Sequence, residues 1–476
     1  MKTGTALCLI NGEWKAARSG ETFSVKNPAN GEVLATVPQL DRAQVEGTIA
    51  AAQAAFNGWR SCPARERARM LRSIGDKLIA RREEFARLIT LEQGKPLSES
   101  LGEVSYSANY LHWFSEEAVR AYGDIIPADS AAKRIFVLRQ PIGVAAAITP
   151  WNFPIAMLAR KLGAALAAGC TFIAKPAPET PLSALLLGEL CQEAGLPAGV
   201  VNIITGDAAM IGEVIMASPI VRKVSFTGST EVGKLLLRQS ADTVKKLTLE
   251  LGGNAPFIVM DDADLERAVS GAMFGKYRNA GQTCICVNRF LVHSSVAEDF
   301  TRRLVDQTRS LVVGSGLDEK TSVGPVINDA AKNKVIGLLN SAADEGVTFL
   351  LGEESRRATS RFISPCVLTG VTPAMRIWKE EIFGPVSTIT TFNSDAEAIS
   401  LANDTQYGLA AYLYSESLSR ALNVAERLEF GMVGINDTAI SAVQAPFGGV
   451  KQSGFGREGS KYGMDDYSVL QYLSVA

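Results

Sequence analysis

Short apolar runs alternate with helical patterns between residues 144 and 239. The runs lie at 144–148, 171–175, 200–204 and 221–226, and a segment with helical periodicity follows each of them. Strands and helices that alternate at this spacing form parallel βαβ units. The pattern therefore predicts an open α/β sheet, whose ligands bind beyond the carboxyl ends of the strands.

A second alternating section runs from about residue 250 to about residue 447. The predicted helices there span 262–275, 295–312, 328–344 and 416–428, and the predicted strands span 256–259, 289–292 and 386–392. Two amphipathic helices are also predicted near the N-terminus, at 41–57 with Asp41 as N-cap and at 64–87. The chain has 476 residues, which at roughly 150 residues per domain suggests about three structural units. The expected fold class is α/β, with two open α/β domains.

Composition excludes several classes of function. Lys and Arg total 48 against 50 Asp and Glu, so no basic excess points to nucleic acid or an acidic membrane surface. The two histidines, His112 and His293, lie far apart and outside any HExxH pattern, which argues against a metal site or a Ser-His-Asp triad. Seven cysteines without dense spacing do not indicate a secreted disulfide framework.

No segment of the sequence predicts a membrane span or an export signal. Residues 1–5 lead to no long apolar core, and the most apolar stretch, at 162–174, is too short to cross a bilayer. We therefore expect a protein of a reducing compartment, the cytoplasm.

The segment GSTEVGKL at 228–235 follows a predicted strand and opens a predicted helix. Backbone N–H groups at such a helix start can bind phosphate, so Gly228, Ser229 and Gly233 become candidates for contact with a dinucleotide. A nucleotide hydrolase with a phosphate loop is a weaker alternative, because Leu235 replaces the hydroxyl residue that would bind Mg²⁺. An ordinary turn with packing glycines is the third possibility. A GxGxxG string at 454–459 lies too close to the C-terminus to open a βαβ unit, and we interpret it as a flexible turn.

Three further residues have the chemistry of a catalytic centre without histidine. Cys284, in GQTCIC, is a possible nucleophile, although a single cysteine is more often a small packed hydrophobe. Glu250, in LELGG, is flanked by leucine and glycine, where desolvation would raise its pKa and suit it to be a general base. Asn152, in TPWNFP, could donate its amide to an oxyanion or simply cap the following helix.

These motifs occur together, in the order and spacing of a known family. TPWNFP, FTGSTEVG, LELGG, GQTC, EEIFGPV at 380–386 and PFGGVKQSG at 446–454 make the chain resemble the aldehyde dehydrogenase superfamily over essentially its whole length. The resemblance implies that Cys284 attacks an aldehyde as a thiolate and that Asn152 and the Cys284 backbone N–H hold the oxyanion. Hydride then passes to a nicotinamide, and Glu250 activates the water that hydrolyses the resulting thioester.

Cofactor contacts follow from the same resemblance. Lys175 would meet the adenosine ribose, Ser229 the pyrophosphate and Glu381 the nicotinamide ribose. Phe383 would flank the nicotinamide, and Trp151 would line the same crevice.

One position departs from the pattern of many family members. They carry a glutamate three residues after the lysine that matches Lys175, and here that position is Pro178. Loss of the carboxylate removes a repulsion against a 2′-phosphate, while Glu179 next door could restore part of it. We therefore expect NADP, or both NADP and NAD, as cofactor.

The local sequences around Asn152 and Cys284 look most like the succinate-semialdehyde dehydrogenase branch. By that resemblance, Arg160 and Arg278 bind the distal carboxylate of the substrate and Ser441 adds a hydrogen bond, although each arginine could instead form a structural salt bridge. A guanidinium suits a carboxylate because it can bind both oxygens. Glutarate semialdehyde and 2-oxoglutarate semialdehyde are alternatives that the sequence leaves open.

The branch resemblance has two further implications. Cys286 could form a disulfide with Cys284 under oxidation, or could be a passive packed cysteine. A homodimer or homotetramer and a place in GABA degradation are also implied.

Three units are expected on the same basis. Their predicted limits are 1–123 with 142–252 for cofactor binding, 253–450 for catalysis, and 124–141 with 460–476 for oligomerisation. A catalytically silent protein on the same fold is disfavoured, because Cys284, Glu250 and Asn152 are all intact.

Overall fold

The computed structural model describes residues 5–476 and has a mixed α/β architecture. Residues 1–4, which belong to the segment considered above for an export signal and to the predicted unit 1–123, lie outside the described residues. The helices are α1 (Arg42–Arg60), α2 (Ala64–Ala80), α3 (Arg82–Gln93), α4 (Leu97–Ala118), α5 (Pro154–Ala168), α6 (Leu182–Glu193), α7 (Ala208–Ala217), α8 (Thr230–Ser240), α9 (Leu265–Tyr277), α10 (Ala297–Arg309), α11 (Asp329–Asp344), α12 (Arg376–Lys379), α13 (Asp395–Asn403) and α14 (Leu418–Ala425). The strands are β1 (Cys8–Ile10), β2 (Glu13–Lys15), β3 (Thr22–Lys26), β4 (Val33–Pro38), β5 (Asp124–Ile126), β6 (Arg134–Pro141), β7 (Val144–Ile148), β8 (Thr171–Lys175), β9 (Val201–Ile203), β10 (Val221–Thr227), β11 (Lys246–Glu250), β12 (Ala255–Val259), β13 (Val287–His293), β14 (Thr348–Leu351), β15 (Cys366–Thr369), β16 (Val386–Phe392), β17 (Ala410–Tyr414), β18 (Met432–Ile435), β19 (Gly454–Phe455) and β20 (Ser468–Val475).

The first alternating section forms an eight-stranded sheet in the order β19-β11-β10-β7-β8-β9-β1-β2. Its five central strands are parallel, as the alternation predicts. Successive residues of β8 enter separate apolar cores, Phe172 on one face of the sheet and Ile173 on the other. Thr227 pairs with Glu250 and Ile148 with Lys175, so the carboxyl ends of these strands meet along one edge of the sheet.

The second section forms a seven-stranded sheet in the order β14-β15-β16-β13-β12-β17-β18. All its neighbouring strands are parallel except β14, which pairs antiparallel with β15 at the edge. Phe257 and Ile258 of β12 point into different cores, so this sheet is also covered on both faces. The two open α/β sheets confirm the predicted fold class.

A third, three-stranded sheet has the order β20-β6-β5 and joins two distant parts of the chain. β20 pairs antiparallel with β6 over eight residue pairs, from Ser468 opposite Pro141 to Val475 opposite Arg134. Large apolar side chains remain exposed on it, including Ile125 at 76%, Leu470 at 66% and Tyr472 at 58% of their surface.

The predicted helix at 64–87 is wrong in one respect, because the structure has two helices, α2 and α3, that break at Arg81. Arg81 has φ −104° and ψ 24°, outside helical geometry. Leu78 and Phe85 are both buried in the same core, so the apolar periodicity continues across the break and hides it.

The segment at 454–459 is not simply a flexible turn. Gly454 and Phe455 form β19, which pairs antiparallel with Glu250 and Leu249 of β11. Gly454 has φ +111°, and a Cβ there would lie 1.8 Å from the carbonyl oxygen of Leu249. Glycine is therefore required for this close approach, which adds a C-terminal strand to the first sheet.

Candidate active site

Cys284 lies where two cavities meet. The first, which we call the strand-end cavity, has a volume of about 360 Å³ and is bounded by residues 150–152, the turn 227–229 and the start of α11. The second, the arginine cavity, has a volume of about 430 Å³ and is bounded by α4, α5 and Arg278. Cys284 lines both, so a group in either cavity can reach its sulfur.

A turn in the left-handed conformation precedes Cys284 and places it between the two cavities. Asn279, Ala280 and Gly281 follow one another with φ values of +52°, +54° and +75°. A Cβ at Gly281 would lie 2.2 Å from the carbonyl oxygen of Gly384, so only glycine fits there. The two non-glycine residues store backbone strain, as is common at functional sites.

Asn152 lies beside this turn and is bonded to it. Its Nδ2 donates to the Gln282 carbonyl at 3.0 Å, and its own backbone carbonyl accepts from Asn279 Nδ2 at 3.0 Å. The carbonyl also accepts from Lys95 Nζ at 2.6 Å. The amide group of Asn152 is thus held at the strand-end cavity, which it lines together with Cys284.

Glu250 is the last residue of β11 and is almost fully buried. Neither carboxylate oxygen has a hydrogen-bond partner among residues 5–476, and Oε1 lies 2.9 Å from where a Cβ on Gly448 would be. Burial raises its pKa well above the usual range, and the charge of Glu458 adds to this, while Arg160 and Lys161 oppose it. Glu250 lines neither cavity, but its charge also raises the pKa of the Cys284 thiol, so the two groups lie within electrostatic reach.

Desolvation raises the pKa of the Cys284 thiol to about 12. The positive charges of Arg160 and Arg278 lower it, whereas Glu381 and Glu250 raise it. The free thiol is therefore protonated at neutral pH, and its attack on an electrophile requires loss of the proton.

The strand-end cavity has the features of a dinucleotide site. Ser229 caps α8, accepting from the Val232 N–H at 3.3 Å, and the N-terminus of this helix opens on the cavity. Trp151 and Phe383 form an edge-to-face pair with ring centroids 5.5 Å apart, which provides an apolar wall. Glu381 accepts from the Gly253 N–H at 2.9 Å, and burial raises the pKa of its carboxyl to about 7. Phosphate, ring and ribose of a nicotinamide dinucleotide would each find a matching group here.

The other predicted cofactor residues do not all line this cavity. Gly228 lines the cavity, but Gly233 packs against Leu251 instead. A Cβ on Gly233 would lie 2.5 Å from the Leu251 side chain. Gly233 therefore serves helix packing, as the alternative interpretation of the motif allows. Lys175 is buried at the end of β8, where burial lowers its pKa and Glu179 raises it. Pro178 is exposed and lies in the turn that follows β8, three residues after Lys175.

The arginine cavity contains a guanidinium without a carboxylate partner. Arg278 stacks over the rings of Phe153 and Phe274, at 5.3 Å and 5.1 Å from their centroids, and forms no ion pair within residues 5–476. Ser441 lines the same cavity. An anion that enters would meet a charge held in place by two aromatic faces.

Arg160 also lines this cavity and already has a carboxylate neighbour, although its Nε and Nη2 atoms form no hydrogen bond within residues 5–476. It forms a buried ion pair with Glu458, and its guanidinium carbon lies 4.4 Å from the centroid of the Phe447 ring. Glu458 also pairs with Lys161 and accepts from the Ser225 hydroxyl at 3.1 Å. Arg160 thus has the salt bridge that the structural alternative expects, while its role as a substrate ligand stays a prediction.

Cys286 lies behind the loop and lines neither cavity. Its sulfur lies 3.5 Å from Lys276 Nζ, and burial raises its pKa while Lys276 lowers it. All seven cysteines are free, including Cys284 and Cys286.

Two charged residues that no sequence motif indicates support the site from α4 and the preceding loop. Lys95 and Glu103 are fully buried and pair at 2.6 Å. Glu103 also accepts from the backbone N–H groups of Ile155 and Ala156 at the start of α5. No local motif marks these residues, since the backbone groups that they bind, at Asn152 and Ile155, lie 57 and 52 positions away in the chain.

Within residues 5–476, no cluster of three or more His, Cys, Asp or Glu side chains could hold a metal ion. None of the helices in that range is long and apolar enough to cross a membrane.

Known proteins resemble this chain over nearly its full length. It matches the aldehyde dehydrogenase family over residues 14–473. It is 50% identical over 467 residues to succinate-semialdehyde dehydrogenase [NADP(+)] GabD of Escherichia coli K12, with 98% of this chain and 97% of the relative covered. It is 49% identical to a glutarate-semialdehyde dehydrogenase of Pseudomonas putida, with 98% and 97% covered. The crystal structure of succinate-semialdehyde dehydrogenase from Burkholderia pseudomallei is 54% identical and superposes with a TM-score of 0.97, covering 99% of this chain and 98% of that one.

Proposed function

The chain belongs to the aldehyde dehydrogenase family, and from this premise we propose that it oxidises succinate semialdehyde to succinate with NADP. One observation carries the proposal: Cys284 lies between a cavity suited to a dinucleotide and a cavity whose guanidinium, Arg278, has no carboxylate partner. A semialdehyde that carries a carboxylate fits this arrangement, because its two ends match the nucleophile and the cation.

In this mechanism the Cys284 thiol gives its proton to solvent water, and its sulfur attacks the aldehyde carbon, which breaks the C=O π bond and forms the oxyanion of a thiohemiacetal. The amide of Asn152 and the backbone N–H of Cys284 donate to the oxyanion. The bound nicotinamide supplies an acceptor for the hydride that the aldehyde carbon must lose. Glu250 then takes a proton from the water that hydrolyses the thioester, which releases the acid and frees Cys284.

Residues of the strand-end cavity would hold the cofactor in this proposal. Ser229 and Gly228 would bind its phosphates, Glu381 its nicotinamide ribose, and Trp151 and Phe383 its nicotinamide ring, since all five line this cavity. Lys175 is assigned to the adenosine ribose, and Gly233 to support of the helix that binds phosphate. These contacts involve groups that NAD and NADP share, so they do not distinguish the two cofactors.

A preference for NADP is supported by the residues after β8. Pro178 offers no carboxylate against a 2′-phosphate. Glu179 accepts a hydrogen bond from Asn328 Nδ2 at 3.3 Å, so its charge is partly engaged at the N-cap of α11. The relative in Escherichia coli is named for NADP.

The activity is tested by the absorbance of reduced nicotinamide under reducing conditions. We expect the highest kcat/KM with succinate semialdehyde and NADP, and a lower value with NAD. Glutarate semialdehyde is the second candidate, because a glutarate-semialdehyde dehydrogenase is similar at nearly the same identity. Absence of reduction with any of these aldehydes and either cofactor would contradict the proposal.

Replacing Arg278 should weaken binding of the anionic substrate. In Arg278→Leu we expect KM for succinate semialdehyde to rise about 30-fold, since a charge-assisted hydrogen bond is lost from a poorly solvated site. KM for an uncharged aldehyde such as butanal should change far less. Arg267→Leu, an exposed change on neighbouring α9, is the matched control. Equal losses for both aldehydes would show that Arg278 does not recognise the carboxylate.

Three further assignments belong to this proposal. The exposed apolar side chains of the sheet β20-β6-β5 support a homodimer or homotetramer that covers them, with 124–141 and 460–476 as the oligomerisation unit. Cys286 is the partner that Cys284 would take in a disulfide, and both thiols are free to form it. Free cysteines throughout the chain also agree with a cytoplasmic location.

A further inference from the structure

A carboxylate that the mechanism does not use lies in the arginine cavity. Glu99 belongs to the first turn of α4 and lines this cavity together with Arg278. Its Oε2 accepts from the Asn279 N–H at 2.8 Å, and Asn279 opens the left-handed turn that leads to Cys284. The carboxyl group is therefore fixed beside the path of the substrate.

Among the charged side chains that line the cavity, Glu99 and Arg278 have no ion-pair partner within residues 5–476. Lys95 is bonded to Glu103 at 2.6 Å and to the Asn152 carbonyl. The second carboxylate oxygen of Glu103 accepts a hydrogen bond from the Ile155 N–H at the start of α5. Arg160, the remaining cation of the cavity, is paired with Glu458.

These surroundings make the charge of Glu99 variable near neutral pH. Burial raises the pKa of the Glu99 carboxyl to about 7, with Lys95 and Arg278 lowering it and Glu103 raising it. Below that pH the group is neutral and can coexist with a substrate carboxylate. Above it, a fixed negative charge in the same cavity repels the substrate anion and attracts Arg278.

We propose that Glu99 determines how strongly the enzyme selects anionic aldehydes over uncharged ones, by competing with the substrate carboxylate for Arg278. The inference rests on the proposed function of the arginine cavity. It assigns to Glu99 a specificity-determining role, in which its ionised carboxylate and the substrate anion are two negative charges in the cavity that holds Arg278.

The test compares kcat/KM for succinate semialdehyde with kcat/KM for butanal, an uncharged aldehyde of the same length. Their ratio is measured at about pH 6 and about pH 8.5, on either side of the Glu99 pKa. Both aldehydes need the same Cys284 and Glu250 chemistry, so the ratio removes the titration of those groups. In the unaltered enzyme we expect the ratio to fall about five-fold as pH rises, because ionised Glu99 opposes only the anion.

Glu99→Gln keeps an oxygen for the Asn279 N–H but cannot ionise. We expect its ratio to be independent of pH and, at the higher pH, about five-fold above that of the unaltered enzyme. Such a gain in selectivity is not what structural damage produces. Glu116→Gln, an exposed change on the same helix at a residue paired with Arg72, is the matched control and should follow the unaltered enzyme.

The outcomes separate this inference from the function on which it rests. If the unaltered enzyme oxidises succinate semialdehyde with a ratio that does not depend on pH, the role of Glu99 is refuted without recourse to a variant. A Glu99→Gln enzyme that keeps the pH dependence refutes it as well. If succinate semialdehyde is not oxidised at all, the proposed function is what fails.

Discussion

Cys284→Ala should lower the rate of aldehyde oxidation by at least about 10⁴-fold, because it removes the atom that forms the covalent intermediate. Cys284 lines both cavities of the site. A second thiol, Cys286, is near in sequence, but it lines neither cavity and is held beside Lys276. We therefore do not expect it to substitute for the missing nucleophile.

The measurement is steady-state reduction of NADP with succinate semialdehyde, combined with NADP binding and the thermal unfolding midpoint. The variant should bind the cofactor and unfold like the unaltered enzyme, because alanine keeps the Cβ atom of Cys284 and removes only the sulfur. Cys62→Ala, at a partly exposed cysteine on the connection between α1 and α2, is the matched control and should keep full activity. Residual activity above about 1% would show that catalysis does not need the Cys284 sulfur.

The fold was largely predictable from the sequence because its information is local. The parallel strands β7 and β8 of the first sheet are apolar runs that are almost wholly buried, so each can be predicted from its own residues alone. The break at Arg81 and the strand β19 were not predictable in this way. The first is masked by continuous burial in one core, and the second depends on a close approach between Gly454 and Leu249, which are distant in the chain.

The residues of the site likewise divide into those with a local sequence signal and those whose role depends on contacts between distant parts of the chain. Cys284 and Asn152 occur in contiguous motifs, and the structure places both at the strand-end cavity. The partner of Arg160 could not be predicted, because Glu458 comes from a C-terminal segment that reaches α5 only after folding. Glu99 was missed for a similar reason: a glutamate in the first turn of a helix is ordinary until the nucleophile loop packs against it.

Glu250→Gln should lower the steady-state rate about 10³-fold while leaving one rapid turnover. The amide cannot accept a proton from water, so the thioester on Cys284 accumulates after the first reduction of cofactor. Pre-steady-state measurement should then show a burst of reduced NADP close to one equivalent per site, followed by a very slow phase. Glu213→Gln, an exposed change paired with Arg42, is the matched control and should show the normal steady state.

The pH dependence gives a second test of the same residue. Burial and the neighbouring charge of Glu458 raise the pKa of Glu250, so its basic form gains population only as pH rises well beyond the usual glutamate range. The thioester hydrolysis rate of the unaltered enzyme should therefore increase with pH through that raised pKa, and this increase should vanish in Glu250→Gln. Loss of the burst together with the steady state would instead place the essential role of Glu250 before the thioester, in removal of the proton from Cys284. A variant with an unchanged steady state would exclude Glu250 as the base, because no step would then depend on its carboxylate.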